Sequence, residues 1–446
     1  MNGEILEIWR SSPVFKVGFN LVLAMLVDIA YKFRIYPNKE QEEFLNKTFG
    51  CCRFLWNQML NERNEAYQRF KDNKESLHAI KYKTEKQYKQ SFPFLKEVDA
   101  KALQNVNRNI FQAFQNFFGG IKGKRSRGGY PRFKSKHGKQ SYTTNNINDN
   151  IKIDFEKKKL KLPKIDAWFN FRDDRVFGER TRKVTVSKTK SGKYLASISF
   201  KREIKTGPIQ EMDESKIIAL DMSFASFVVS ENGRMENPRF YRKSEQKLKR
   251  LHRRLSRKQK GSNNRNDARV KLVRFYDRIG NARNDWQHKV SRELANRNDA
   301  IILEDLNVEG MKRFNSGFAK SVTLDFSWSE FVRMVAYKAE RAGKHLVLVD
   351  RFYPSSKTCS TCGFINDSLS LSDRTWTCQR CDSIHDRDVN AATNLKREGK
   401  RILVETLRIK INDNATAGTA GSHAPGDRAR PVITRATVDE RRIHAL

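Results

Sequence analysis

Two cysteine pairs, Cys359-x-x-Cys362 and Cys378-x-x-Cys381, constrain this chain more than any other feature. Fifteen residues separate Cys362 from Cys378. That spacing lies in the range of zinc ribbons, where four thiolates close a tetrahedron around Zn²⁺. Four thiolates leave no open position for water or substrate, so the zinc is read as structural. Six cysteines in 446 residues are too few for a disulfide scaffold and point to a reducing compartment. The other two, Cys51 and Cys52, fall in an apolar helical pattern and read as core.

The second pair runs at once into His385-Asp386-Arg387-Asp388-Val389-Asn390-Ala391-Ala392. Asp386 suits an N-cap, which puts Asp388 in the first helical turn with Ala391 and Ala392 on its own face. Such small side chains let a helix approach a sheet closely. Upstream, Ile217-Ile218-Ala219-Leu220-Asp221 and Ile301-Ile302-Leu303-Glu304 read as buried strands of an α/β sheet, each ending in a carboxylate at the rim. Asp305 points to the opposite face and reads as a cap for the next turn. Asp350, after Leu346-Val347-Leu348-Val349, is a further candidate, read as structural because it leads into the cysteine segment. Any one of these acids is compatible with an ordinary strand-end carboxylate. Three from distant segments, Asp221, Glu304 and Asp388 with Asp386 as the alternative, are what a two-metal phosphodiesterase needs. Carboxylate oxygens suit Mg²⁺ or Mn²⁺, and two such ions about 4 Å apart activate water and stabilise the departing oxygen. The same chemistry serves hydrolysis and strand transfer.

The formal charge, 88 Lys+Arg against 51 Asp+Glu or +37, calls for a polyanionic partner, and nucleic acid is the expected one. Residues 120–139 carry eight Lys or Arg and no acid, interleaved with Tyr130 and Phe133, which suits a surface that tracks a nucleic-acid backbone. Residues 239–260 carry eleven Lys or Arg against one acid, with Leu248, Leu251 and Leu255 at helical spacing. No membrane partner is expected. The longest apolar run, Leu21 to Val27, is too short to span a bilayer, and Glu4 and Glu7 stand where a signal peptide is positive. Residues 1–28 read as an extension, with Met25 as the natural start.

Length predicts two to four domains. Ala30 to Pro37 alternates as a strand. Apolar stripes at 40–66 and at 99–118, the latter through Leu103, Val106, Ile110, Phe111, Phe114, Phe117 and Phe118, predict amphipathic helices packed by those residues. Residues 150–204 predict several short strands in a small barrel or sandwich, with a turn at Ser191-Gly192. Residues 207–214 read as a linker, Glu231-Asn232-Gly233 as a hairpin turn, and residues beyond about 406 as a flexible tail.

In the order Asp221, Glu304, cysteine ribbon, Asp388, the chain resembles the transposon-encoded TnpB proteins, relatives of the type V CRISPR effectors. The resemblance is carried by GGYPRF (Gly128 to Phe133), ILEDLNVEGM (Ile302 to Met311), YPSSKTCSTCG (Tyr353 to Gly363) and HDRDVNAATNL (His385 to Leu395), and runs from about residue 29 to 400. It implies an RNA-guided DNA endonuclease, multidomain α+β and α/β. A wedge β-barrel (29–37 and 120–210) and a helical recognition lobe (38–119) would precede a RuvC nuclease domain of RNase H-like fold (211–350 and 386–405). The zinc ribbon (351–385) would be inserted before the last acid, and a tail (406–446) would follow. Asp221, Glu304 and Asp388 would be catalytic and bind Mg²⁺ or Mn²⁺, and Cys359, Cys362, Cys378 and Cys381 would bind Zn²⁺. The partners would be a guide RNA from the transposon end and a double-stranded DNA target, in the cytoplasm on a prokaryotic nucleoid. A nuclease-inactive RNA-guided repressor and a transposase are the alternatives. One position departs from the family pattern: Ser223 stands where glycine often follows the first acid by two residues.

Overall fold

The structure, a computed structural model, describes residues 25–123, 129–204, 211–311, 325–370 and 372–412. Residues 1–24, most of the predicted tail, and Gly128 of the GGYPRF segment lie outside the described residues. The described residues divide into two compact units: residues 26–202 with 245–279, and residues 203–244 with 280–412.

The first unit begins with β1 (Met25–Tyr36), which starts ahead of the boundary read at residue 29. Its alternation buries Ile29, Phe33 and Ile35 on one face, the period-2 pattern of a half-buried strand. Asn38 then caps α1 (Lys39–Phe70): its side chain accepts from the Gln41 amide while Gln41 returns the bond to the Asn38 amide. The helix α2 (Ala100–Ile121) is capped by Asp99. Strands β2 (Gln140–Asn145), β3 (Lys152–Asp154), β4 (Lys159–Lys161), β5 (Phe169–Arg172), β6 (Thr181–Lys188) and β7 (Tyr194–Ile204) join β1 in one seven-stranded sheet ordered β2-β6-β7-β1-β5-β4-β3. One hydrophobic core unites this sheet with both helices and includes Cys51 and Cys52. Burial lifts the Cys52 thiol to about 12, as expected of an inert core cysteine. The α2 stripe is packed only in part: Leu103, Val106 and Ile110 are buried, but Phe111 and Phe118 are 59% and 53% exposed, against the reading of the whole stripe as core.

The second unit is built on three parallel strands, β9 (Ile217–Leu220), β12 (Ala300–Glu304) and β13 (His345–Val349), ordered β13-β12-β9. The hairpin β10 (Val228–Ser230) and β11 (Gly233–Met235) turns at Glu231-Asn232 as the sequence predicts. It is bridged to the end of β9, where Asp221 and Val229 exchange both backbone hydrogen bonds at 2.8 Å. The strands therefore lie in the order β11-β10-β9-β12-β13. Side chains of β12 alternate between two cores, which is why it reads as a continuous apolar run. Ile301 and Leu303 join Phe326, Trp328, Phe331 and Val335, the last three from α3 (Trp328–Arg341), while Ala300 and Ile302 join Leu395 of α4 (Arg387–Arg401).

Helix α4 lies close on the sheet. Ala391 and Ala392 are fully buried, as their size predicts. Closer still is Gly399, where a Cβ would fall 2.4–2.6 Å from three Ile302 side-chain carbons. Alanine gains helix propensity, about 1 kcal/mol over glycine, but here the overlap wins. Gly399→Ala is expected to cost about 1–3 kcal/mol, read as a lower urea midpoint; an unchanged or raised midpoint would refute the close contact.

Two expectations are corrected at the edge of this unit. Residues 410–412, read as tail, form β14 (Lys410–Asn412), paired in parallel with β8 (Glu211–Asp213), read as linker. Met212 and Ile409 are buried beside this pair and fix it to the core. Three-residue strands are too short to show a period, so the sequence carries no visible signal for them.

Candidate active site and metal centre

Parallel register pairs Leu220 with Leu303, so the next residues, Asp221 and Glu304, leave the sheet side by side at the same rim. Asp386 caps α4 by accepting from the Asp388 and Val389 amides, both at 3.1 Å. Asp388 then sits in the first turn, 7% exposed, as the Asp386 cap predicts. The Ser223 hydroxyl donates to Asp388 Oδ2 at 2.9 Å, so the position that departs from the family pattern holds the third acid in place.

The electrostatics tie the three acids together. Burial, then the charges of Asp388 and Glu304, push Asp221 up to about 7, with Arg387 opposing. Burial, then Asp305, pushes Glu304 up to about 7, with Arg351 opposing. Arginines that the sequence did not single out stand around Asp388: Arg374 is 3.8 Å from Oδ1, and Arg234, which pairs with Asp386, is 4.0 Å from Oδ2. Nothing in their local sequence marked them, since both reach the acid through tertiary packing. The Asp305 carboxylate pairs with Arg351, while in the turn that follows Asn307 Oδ1 accepts from the Gly310 amide at 2.9 Å. Asp350 accepts from the Phe352 amide at 2.8 Å and shapes a turn, the structural role expected of it.

Between β13 and α4 the four cysteines converge. Their sulfurs all lie within 4.8 Å of one another, with Cys359 to Cys381 at 3.7 Å and Cys362 to Cys378 at 3.6 Å. Zinc with four thiolates at about 2.3 Å requires sulfur spacings near 3.8 Å, so the donor set fits a tetrahedral metal. Among the described residues the three carboxylates do not close to the spacing of this cluster. The Ser383 hydroxyl, 3.3 Å from Cys381, helps draw that thiol down to about 6. His385 Nε2 stands 3.1 Å from Cys359 Sγ, a contact that no local pattern announces. Burial lowers the His385 pKa and favours the neutral ring.

Comparison with known proteins gives the family. Three family models match: "Helix-turn-helix domain" over residues 25–72, "Probable transposase" over 199–315 and "Cas12f1-like, TNB domain" over 328–395. In the structure the first of these stretches is strand β1 followed by the single long helix α1. A protein of Streptomyces pristinaespiralis, named "Putative RNA-guided DNA endonuclease", is 34% identical over 373 residues, which cover 83% of this chain and 89% of that one. The Escherichia coli K12 protein "Putative RNA-guided DNA endonuclease InsQ" is 30% identical over 395 residues, 84% of this chain and 93% of that one. "TnpB-like protein L79" of Acanthamoeba polyphaga mimivirus is 33% identical over 132 residues, 29% of this chain and 25% of that one. The chain belongs to the TnpB family. In this TnpB-family chain Asp221 and Glu304 lie within the "Probable transposase" match, and Asp388 and the four cysteines within the "Cas12f1-like, TNB domain" match. Among the described residues no helix is long and apolar enough to cross a membrane.

Proposed function

We propose that this chain is an RNA-guided DNA endonuclease of transposon origin, with a single nuclease site formed by Asp221, Glu304 and Asp388. The observation that carries the reading is the placement of Asp221 and Glu304 side by side on neighbouring strands, with Asp388 near enough for its charge to raise Asp221. The strand order, three parallel strands extended by a hairpin, supports a RuvC-like domain of RNase H-like fold. On that reading the seven-stranded sheet is the wedge and the α1–α2 region the recognition lobe.

Buried carboxylates with raised pKa values fit a hard divalent cation, which relieves their mutual repulsion. Asp221, Glu304 and Asp388 would hold Mg²⁺ or Mn²⁺, which would supply water activation and charge neutralisation at the scissile phosphate. The protein's part is to hold three oxygen donors on rigid elements: Asp221 by its backbone bridge to Val229, Glu304 by the sheet, and Asp388 by the Asp386 cap and the Ser223 hydroxyl. Zn²⁺ at the four cysteines is structural. Arg250, Arg253, Arg254, Arg257 and Lys258 line a basic hollow that suits a phosphate backbone, which leaves sequence reading to base pairing with the guide.

Purified ribonucleoprotein with Mg²⁺ is expected to cut double-stranded DNA at a site that moves when the guide segment of the bound RNA is exchanged. Cutting that ignores the exchange, or joining of transposon ends without RNA, would favour the transposase reading that the "Probable transposase" match supports.

The raised acids also fix a pH dependence. Cation binding needs both carboxylates ionised, and Asp221 and Glu304 hold protons up to about 7. At sub-saturating Mg²⁺, cleavage is expected to fall from pH 8 to pH 6 by about tenfold over that range for each of the two acids, and to recover with added Mg²⁺. A profile flat over that range at low Mg²⁺ would contradict the assignment. Without cation, the same raised values make folding less favourable as pH rises through about 7.

A further inference from the structure

Helix α4 presents two working faces within one turn. Residues two apart on a helix point roughly 200° from each other, so Asp388 faces the sheet acids while Asn390 faces the cysteine ribbon. Asn390 is 2% exposed, and its side chain grips both neighbours of Cys359: Nδ2 donates to the Thr358 carbonyl at 2.7 Å and Oδ1 accepts from the Ser360 amide at 2.9 Å. One turn on, at i+4 and hence on the same face, the fully buried Asn394 donates to Thr358 O at 2.6 Å and Ser355 O at 2.9 Å. Arg397 adds a bond to the Ser360 carbonyl. The Cys359 knuckle is itself closed by Cys359 N to Phe364 O at 2.8 Å and Gly363 N to Cys359 O at 2.9 Å. Knuckle and helix therefore form one hydrogen-bonded body, with the cysteine ligands on one side and Asp388 on the other.

We propose that Asn390 and Asn394 are positioning residues that lock the first cysteine knuckle to the helix bearing Asp388, so that zinc at the four thiolates and a divalent cation at the acids stabilise each other's binding. The proposal rests on the nuclease reading only for the role of Asp388. The lock on the knuckle stands on its own hydrogen bonds. Coupling of this kind is reciprocal: whatever one site gains from the other, it returns.

The test follows zinc release from the full-length protein into a chromophoric chelator. Partners behind metal ligands are typically worth 10–100-fold in metal affinity, so Asn390→Ala and Asn394→Ala are each expected to release zinc at least about tenfold faster than the parent. Millimolar Mn²⁺, which binds thiolates weakly, is expected to slow zinc release from the parent but not from Asn390→Ala or Asp221→Ala. In guided cleavage, Asn390→Ala is expected to need more Mg²⁺ for half-maximal rate while approaching the parent rate at saturation. Melting curves with zinc in excess identify any variant that fails to fold, and Asn394→Ala then carries the test. Parent-like zinc release from a folded Asn variant, or zinc release from the parent that ignores Mn²⁺, would overturn the proposal. If the parent does not cut DNA at all, the nuclease reading fails while the chelator experiment still decides whether the lock exists.

Discussion

Asp221→Ala is expected to abolish DNA cleavage while leaving guide and target binding intact. The loss should be on the order of 10³-fold or more, because a metal-bound carboxylate supports several kcal/mol of charge stabilisation and each 1.36 kcal/mol is tenfold in rate. The fold should survive, since the residue is fixed to the sheet through its backbone bonds to Val229, which alanine retains. Removing a buried acid whose neighbours repel it should also raise the melting temperature of the cation-free protein. A gel shift, a cleavage assay and a melting curve on the same preparation check all three. A variant that cuts like the parent removes Asp221 from the site.

The second large effect concerns the cysteine cluster. Cys359→Ser removes one of four thiolates from a set spaced for a tetrahedral metal. Structural zinc sites of this kind hold roughly 10–16 kcal/mol of binding free energy that is also folding free energy. Zinc content is expected to fall from one per chain to a small fraction, and limited proteolysis should open the stretch from Tyr353 to Asp386. The seven-stranded sheet lies in the other unit and should keep its protection. A serine variant that retains full zinc and resists protease would show that the four thiols do not share one ion.

What the sequence revealed depended on how each signal is encoded. Strands β9 and β12 were legible because a strand covered on both faces must be apolar throughout, so the terminal acid stands out. Asp386 and Asp388 were legible because capping depends on local chemistry at fixed offsets. The α2 stripe shows the limit: its period reveals an amphipathic helix, but nothing in the period says that Phe111 and Phe118 stay more than half exposed. The bonds from Ser223 to Asp388 and from Asn390 to the knuckle link residues 165 and 32 positions apart. Such contacts belong to the packed structure, and no local pattern encodes them. Gly399 is similar, because its need for a bare backbone arises only where Ile302 meets it.

Strands β8 and β14 carry a consequence for how the two ends of the acid-bearing segment can be handled. Adjacent strands lie about 4.8 Å apart, so the backbone arrives at residue 211 and departs at residue 412 through one narrow doorway. Chain ends that meet in this way can be joined with little distortion, but residues 245–279 between them belong to the other unit, so the segment comes away whole only if that excursion is replaced. The same pairing sets where the segment can be trimmed. A cut after residue 412 leaves the doorway closed, whereas a cut at 406 removes its second strand and uncovers Met212.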